Sequence, residues 1–302
     1  MVNLIFSMLK DTVNEFIEDD CATMAAALSY YTVFSLPPLL VLVIMVASTF
    51  VDPEDFRGRL QQQMGSLVGA QGTEQIKVMI AQADKPGSGG ALATILGVAA
   101  LIFGATGAFV QLQAALNQAW EVQPDPNRST VRNYLLKRLL SFGMVLALAF
   151  ILMVSLVVST LVSAFGNALA AFLPSGMSAL FLEGFNQTVS LVVFTILFGA
   201  IFKFLPDAII SWTEVWVGGF ATAVLFVLGK ILIGLYLGNS DPVSAYGAAA
   251  SLAVVFVWAY YSSMILLFGA EFTQVWARRY RTEIQPEPGA VRVVRQKYVK
   301  RD

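Results

Sequence analysis

The chain has 302 residues, 57% of them hydrophobic and 13% charged, with a formal net charge of −1 and a mean hydropathy of +0.70. Soluble domains carry about 25% charged residues, so this composition points to an integral membrane protein. Histidine is absent and Cys21 is the sole cysteine; this excludes an intramolecular disulfide, the commonest metal ligand and the usual neutral-pH acid–base, while the near-neutral charge gives no case for nucleic-acid binding.

In chain order, residues 1–20 predict an amphipathic helix. Ile5, Leu9, Val13, Phe16 and Ile17 share one helical face, which suits a helix lying in the membrane interface or packing on the protein. These residues are acidic, and the apolar run after them is too long for a signal-peptide core, so that run is expected to remain as a span. Residues 21–51 hold no charged residue, and a span needs about 20 apolar residues. The charge-free runs predict six spans, at about 22–51, 90–119, 136–172, 181–205, 214–238 and 246–277, with an external loop over 52–89 and a basic, flexible tail over 281–302. The fold class is thus all-α, a polytopic six-helix transmembrane domain whose first helix is kinked at Pro37 and Pro38. The connections on the side of both termini hold fourteen Lys and Arg against four on the other, so both termini are expected in the cytoplasm.

Polar groups inside these spans are the candidate functional residues. Span one carries Ser29, Tyr30, Thr32 and Ser35 before its prolines, and a broken helix in a bilayer is tolerated where protein or a wet cavity satisfies the freed backbone groups. Span two carries Gln111 and Asn117, and span three a stripe of Ser155, Ser159, Ser163 and Asn167. Interhelical hydrogen bonding accounts for the serines; the amides and charges suggest a lined cavity. Lys230 lies sixteen residues after Glu214, about 24 Å along its helix, and Glu271 lies seven before Arg278, about 10 Å inside the membrane end. Their depths do not suit a direct pair. Intramembrane charges mark pathways by default; the bland alternatives are snorkelling for Lys230 and a structural ion pair for Glu271. The candidate cavity residues are therefore Lys230, Glu271, Gln111, Asn117, Ser159 and Tyr30, with no catalytic residue, metal or cofactor expected. Gly234-x-x-x-Gly238 is the only sign of a homo-oligomer, and such spacing also packs helices within one bundle.

Several stretches, in order, carry a resemblance: Leu28-Ser29-Tyr30-Tyr31 through Pro38, FGATGAFVQLQAALNQAWEV (103–122), LPD (205–207), GKILIGLYLG (229–238), YGAAAS (246–251) and WAYYSSMILLFGAE (258–271). Together they resemble the YihY/BrkB family of bacterial inner-membrane proteins over about residues 15–280. The resemblance implies six helical spans and a transporter-like architecture without an assigned activity. An old label for that family, ribonuclease BN, does not fit these residues: a zinc-dependent nuclease needs clustered His and Asp ligands, and this chain has no histidine.

Two functions from different classes follow. One is a transporter-like or flippase-like protein moving a polar, anionic or amphipathic solute. There Lys230 attracts an anionic group and Glu271 is a proton or cation site. The other is a non-catalytic scaffold in the cell envelope, in which the buried polar groups serve packing. The expected partners are the lipid bilayer and a small anionic or lipid-like solute, with no nucleic acid.

Overall fold

The computed structural model describes residues 2–47, 91–126, 177–239, 250–280 and 284–293, together with isolated positions at 58, 61, 73–74, 77–78, 139 and 143. Helix α1 (Val2–Glu18) leads into α2 (Cys21–Ala47), followed by α3 (Ala91–Ala119), α4 (Met177–Phe204), α5 (Trp212–Asn239) and α6 (Ala250–Arg279). Four helical segments are long and apolar enough to cross a membrane: Cys21–Val41, Gln187–Phe204, Trp212–Lys230 and Leu252–Arg279. Five of the six expected spans coincide with α2 through α6; the remaining one, 136–172, lies outside the described residues apart from positions 139 and 143. Helix α6 is the hub, packed against α1, α2, α3 and α5, and α4 packs on α5.

Helix α1 divides its residues between two surroundings. Met8 and Thr12 are buried, Thr12 donates its hydroxyl proton to the Met8 carbonyl, and Phe16 meets Phe268 of α6 with ring centroids 5.9 Å apart. Phe6, Leu9, Val13 and Ile17 form an exposed apolar stripe on another face. Phe16 therefore leaves the single face expected from the sequence, because the bundle takes it, and the side chain of Ile5 is outside the described residues. Asp20, in the left-handed region at φ 53°, separates α1 from α2, and its carbonyl accepts the first N–H groups of α2 from Thr23 and Met24.

The two prolines do not break the first span. Helix α2 runs through Pro37 and Pro38 to Ala47. Each proline deletes one backbone hydrogen bond and crowds the preceding turn. The Pro38 ring lies against Gly104 of α3, where an added Cβ would stand 2.9 Å from Pro38 Cγ. The ring thus fills space left by a missing side chain on the neighbouring helix.

Hydroxyls in the spans also behave differently from the expectation of bonds between helices. Ser29 and Ser35 donate to carbonyls three residues earlier. Thr106, Thr195, Thr222 and Thr273 donate to carbonyls four residues earlier. Each is satisfied within its own helix, so the helices meet by close packing. On α5 and α6 the packing is reciprocal: a Cβ on Gly218 would overlap Thr273, and a Cβ on Gly269 would overlap Thr222. Gly219 brings α5 so close to α4 that a Cβ would sit 2.9 Å from the Thr195 carbonyl oxygen. The surroundings of Gly234 and Gly238 are outside what is described.

The tail departs furthest from expectation. Residues 284–293 are docked on the bundle. Strand β1 (Val122–Pro124) pairs antiparallel with β4 (Ala290–Arg292), Val122 opposite Arg292, and β2 (Ala208–Ile209) pairs antiparallel with β3 (Gln285–Pro286). Between β3 and β4, Glu287-Pro288-Gly289-Ala290 forms a turn in which the Ala290 N–H donates to the Glu287 carbonyl and Gly289 has φ 104°. Proline followed by a positive-φ glycine is the signature of a type II turn. The Pro–Gly pair that suggests a loose tail thus reverses the chain so that it can bind two separate connections. Residues 294–302 lie outside the described residues.

Two outcomes follow. Gly269→Ala should destabilise the protein by about 1–3 kcal/mol through overpacking; adding Thr222→Ala should recover part of the loss in a double-mutant cycle read by thermal unfolding in detergent. Gly289→Ala should strain the turn by about 1 kcal/mol and speed tryptic cleavage after Arg292; an unchanged cleavage rate would show that the turn does not hold the tail.

Candidate functional site

One end of the bundle gathers α1, the C-terminal turns of α3, α4 and α6, the start of α5 and the docked tail. Among the described residues, α3 borders a cleft at this end and a second space further along the bundle. The larger, about 680 Å³, is a cleft lined by Glu15, Glu18 and Asp19 from the α1 end, Gln113 and Asn117 from α3, and Glu121 from the turn after it. The smaller, about 240 Å³, lies among α2 to α6 and is mainly apolar. Phe109, Phe226 and Trp258 contribute to its walls, with the hydroxyl-bearing Thr32, Ser35 and Ser263.

The cleft wall is built from long-range polar contacts. Asn117 is buried and grips Asp207, its Nδ2 donating to Oδ2 at 2.7 Å and its Oδ1 accepting the Asp207 N–H at 2.8 Å. Gln113 Nε2 reaches the same carboxylate at 3.3 Å. Helical spacing of four puts Gln113 and Asn117 on one face of α3, which is why both can hold the Leu205-Pro206-Asp207 turn. Gln118 donates to the Asp19 carbonyl at 2.9 Å, and the buried Trp120 donates its indole N–H to the Ala270 carbonyl at 3.0 Å. Arg278 bonds both Glu15 and Glu121, and Arg292 of the tail lies 3.6 Å from Glu121. These ion pairs are partly exposed and individually modest, but they join α1, α3, α6 and the tail at one point.

Glu271 sits deeper, with 0% of its surface exposed. The Cys21 thiol donates to its Oε1 at 3.3 Å, whereas Oε2 is buried with no hydrogen-bond partner. Carboxylate oxygens of Glu15 and Asp19 lie within 4.8 Å of one another and of a Glu271 oxygen. Asp19 thus lies beside Glu271, while Lys203 turns elsewhere: it donates to the Ile210 carbonyl and lies 5.4 Å from the Trp212 ring centroid. Glu214, at the first turn of α5, is also buried with one unpartnered oxygen, where a helix N-terminus favours negative charge.

The other sequence candidates scatter. Asn117 lines the cleft. Gln111 is half-buried and lines neither space. Tyr30 is 54% exposed and contacts Tyr31 and Phe34, so it lies on the outer surface and lines neither space either. Its hydroxyl suggested a buried partner, but its position on α2 leaves it largely exposed. Lys230 is half-buried. It follows Gly229, which packs on Tyr261, ten residues or about 15 Å along α6 from Glu271; the two charges are not brought together. Ser159 is outside the described residues. Glu15, Asp19 and Asp207 were not among the sequence candidates, since their grouping depends on contacts between residues about 90 to 260 positions apart. The one sequence signal was the unusual acidity of the segment just before the first span.

Comparison with known proteins places the chain among membrane proteins. The profile of the family described as Virulence factor BrkB matches residues 12–293. A UPF0761 membrane protein of Alkalilimnicola ehrlichii is 32% identical over 87% of this chain and 56% of its own length. A UPF0761 membrane protein of Pseudomonas aeruginosa is 28% identical over 94% of this chain and 67% of its own length, and one of Pseudoalteromonas atlantica is 26% identical over 87% and 83%. The chain spans about half the length of several of these curated relatives. No solved structure matches. With apolar helices of membrane-crossing length and a family match over nearly its whole length, the chain is an integral membrane protein and belongs to the Virulence factor BrkB family.

Proposed function

We propose that this membrane protein is transporter-like or flippase-like and moves an amphipathic solute, in a bacterial inner membrane with both termini in the cytoplasm. The observation that carries the reading is the pair of spaces beside α3. Gln113 and Asn117 face the acidic cleft, and Leu112, next to Gln113, and Phe109, about one turn before it, face the apolar cavity. A polar head and an apolar chain would meet matching walls within one helical turn, about 5.4 Å. Among the described residues the cleft lining includes Glu15, Glu18, Asp19 and Glu121 and no Lys or Arg; Arg278 and Arg292 pair with Glu15 and Glu121 from beside it, which leaves four carboxylates against two guanidiniums, a balance that disfavours the anionic head expected from Lys230. The reading takes a cationic or zwitterionic head instead and assigns no catalytic group. The Lys and Arg asymmetry supports the orientation.

Purified protein in proteoliposomes should translocate a fluorescent zwitterionic lipid faster than protein-free vesicles do. Leu112→Trp, which fills the apolar cavity, should slow that rate several-fold while leaving the helical circular dichroism and elution volume unchanged. Glu18→Lys should slow a cationic amphiphile more than the zwitterion. Translocation no faster than in protein-free vesicles would end the transport reading and leave the envelope scaffold.

A further inference from the structure

The acidic group at the α1–α6 contact has a geometry that solute recognition does not require. Glu15 lies in the last turns of α1, Asp19 four residues later in the junction to α2, and Glu271 on α6. Like charges at a spacing of four repel, and here a third carboxylate from another helix is brought within 4.8 Å of both. Arg278 is shared between Glu15 and Glu121. Deeper in the contact, Glu271 is fully buried and its Oε2 has no hydrogen-bond partner. Gln274, on the same α6 face one turn further, is 4% exposed, and its Oε1 is likewise buried without a partner. Buried acceptors are normally satisfied, so two orphaned oxygens on one helix face next to converging carboxylates point to a missing electropositive partner.

We propose that Glu15, Asp19 and Glu271 bind a hard divalent cation, of the calcium class, which ties α1 to the bundle. The donors are oxygens, which select Ca²⁺, Mg²⁺ or Mn²⁺ over softer metals. A group within 4.8 Å is compact enough for either Ca²⁺ or Mg²⁺. Coordination habit favours Ca²⁺, which accepts irregular sets of protein oxygens, whereas Mg²⁺ demands a near-ideal octahedron and dehydrates reluctantly. Zinc fits poorly: the chain has no histidine, and the Cys21 thiol donates to Glu271 Oε1. The carboxylates come from two separate parts of the chain, the end of α1 with its junction and α6, so the ion would fix the amphipathic helix against α6 beside the mouth of the cleft. Glu15 and Asp19 also line the cleft, so a bound ion would offset part of its negative charge, but ion binding itself requires no solute.

The test uses the full chain in detergent, stripped with a chelator and freed of it. Titration with Ca²⁺ by calorimetry should show saturable binding of one ion per chain, and Mn²⁺ should give a bound electron paramagnetic resonance signal that Ca²⁺ displaces. Glu271→Gln should weaken binding at least about tenfold, and Asp19→Asn should do the same from a more accessible position should Glu271→Gln fail to fold. Glu18→Gln, outside the group, should bind as the unsubstituted protein does. Ca²⁺ should raise the melting temperature of the unsubstituted protein and of Glu18→Gln, and not that of Asp19→Asn. No saturable binding to the unsubstituted protein, or binding that Asp19→Asn leaves unchanged, would overturn the proposal. Because no solute or flux enters these measurements, their failure is distinct from failure of the transport reading.

Discussion

A polar group inside a bilayer must find its partner within the protein, and this constraint shapes every described helix. Serine and threonine hydroxyls meet it locally by donating to their own helix three or four residues back. Once satisfied in this way they no longer join helices, and cohesion passes to close packing. The reciprocal fit of Gly218 with Thr273 and Gly269 with Thr222 is the clearest case: each threonine methyl and hydroxyl occupies the place of a side chain the opposite glycine lacks. The contact of Pro38 with Gly104 follows the same rule, and it lets a helix with two prolines continue without a gap at its neighbour.

Local satisfaction is not available to carboxylates and amides, whose donors and acceptors must come from elsewhere in the chain. They collect where the helices end. Asn117 and Gln113 hold the Asp207 turn, Trp120 holds α6, and Arg278 joins Glu15 to Glu121. This polar end is continuous with the docked tail, whose Val293 N–H donates to the Glu121 carbonyl and whose Glu287 N–H donates to that of Asp207. The same two connections therefore carry both the cleft wall and the tail, so a change in the position of one bears on the other.

Under the transport reading, the acidity of the cleft bears on the charge of the solute. Reading intramembrane charges one at a time makes Lys230 the attractive feature and an anion the natural cargo. In three dimensions the residue at the cleft is not a lysine but a set of carboxylates contributed by α1 and the turn after α3. Lys230 lies well along α5, next to the level where Gly229 packs on Tyr261. Charge at a site is a sum over neighbours, and the neighbours come from remote parts of the chain.

Membrane residence, the positions of the long helices α2 to α6 and the family resemblance were legible in the sequence, because hydrophobic length and charge-free runs are properties of contiguous residues. Asn117 and Glu271 were legible as unusual for the same reason: each is a polar residue inside an apolar run. Their roles were not. The exposure of Tyr30, the docking of 284–293 and the meeting of Glu15, Asp19 and Glu271 are set by which helix faces touch, and a linear pattern is silent on that. The Pro-Glu-Pro-Gly stretch illustrates the division: its turn chemistry was written locally, but whether the reversed chain would find strands to pair with was decided by the connections at 122–124 and 208–209, which the bundle alone brings within reach.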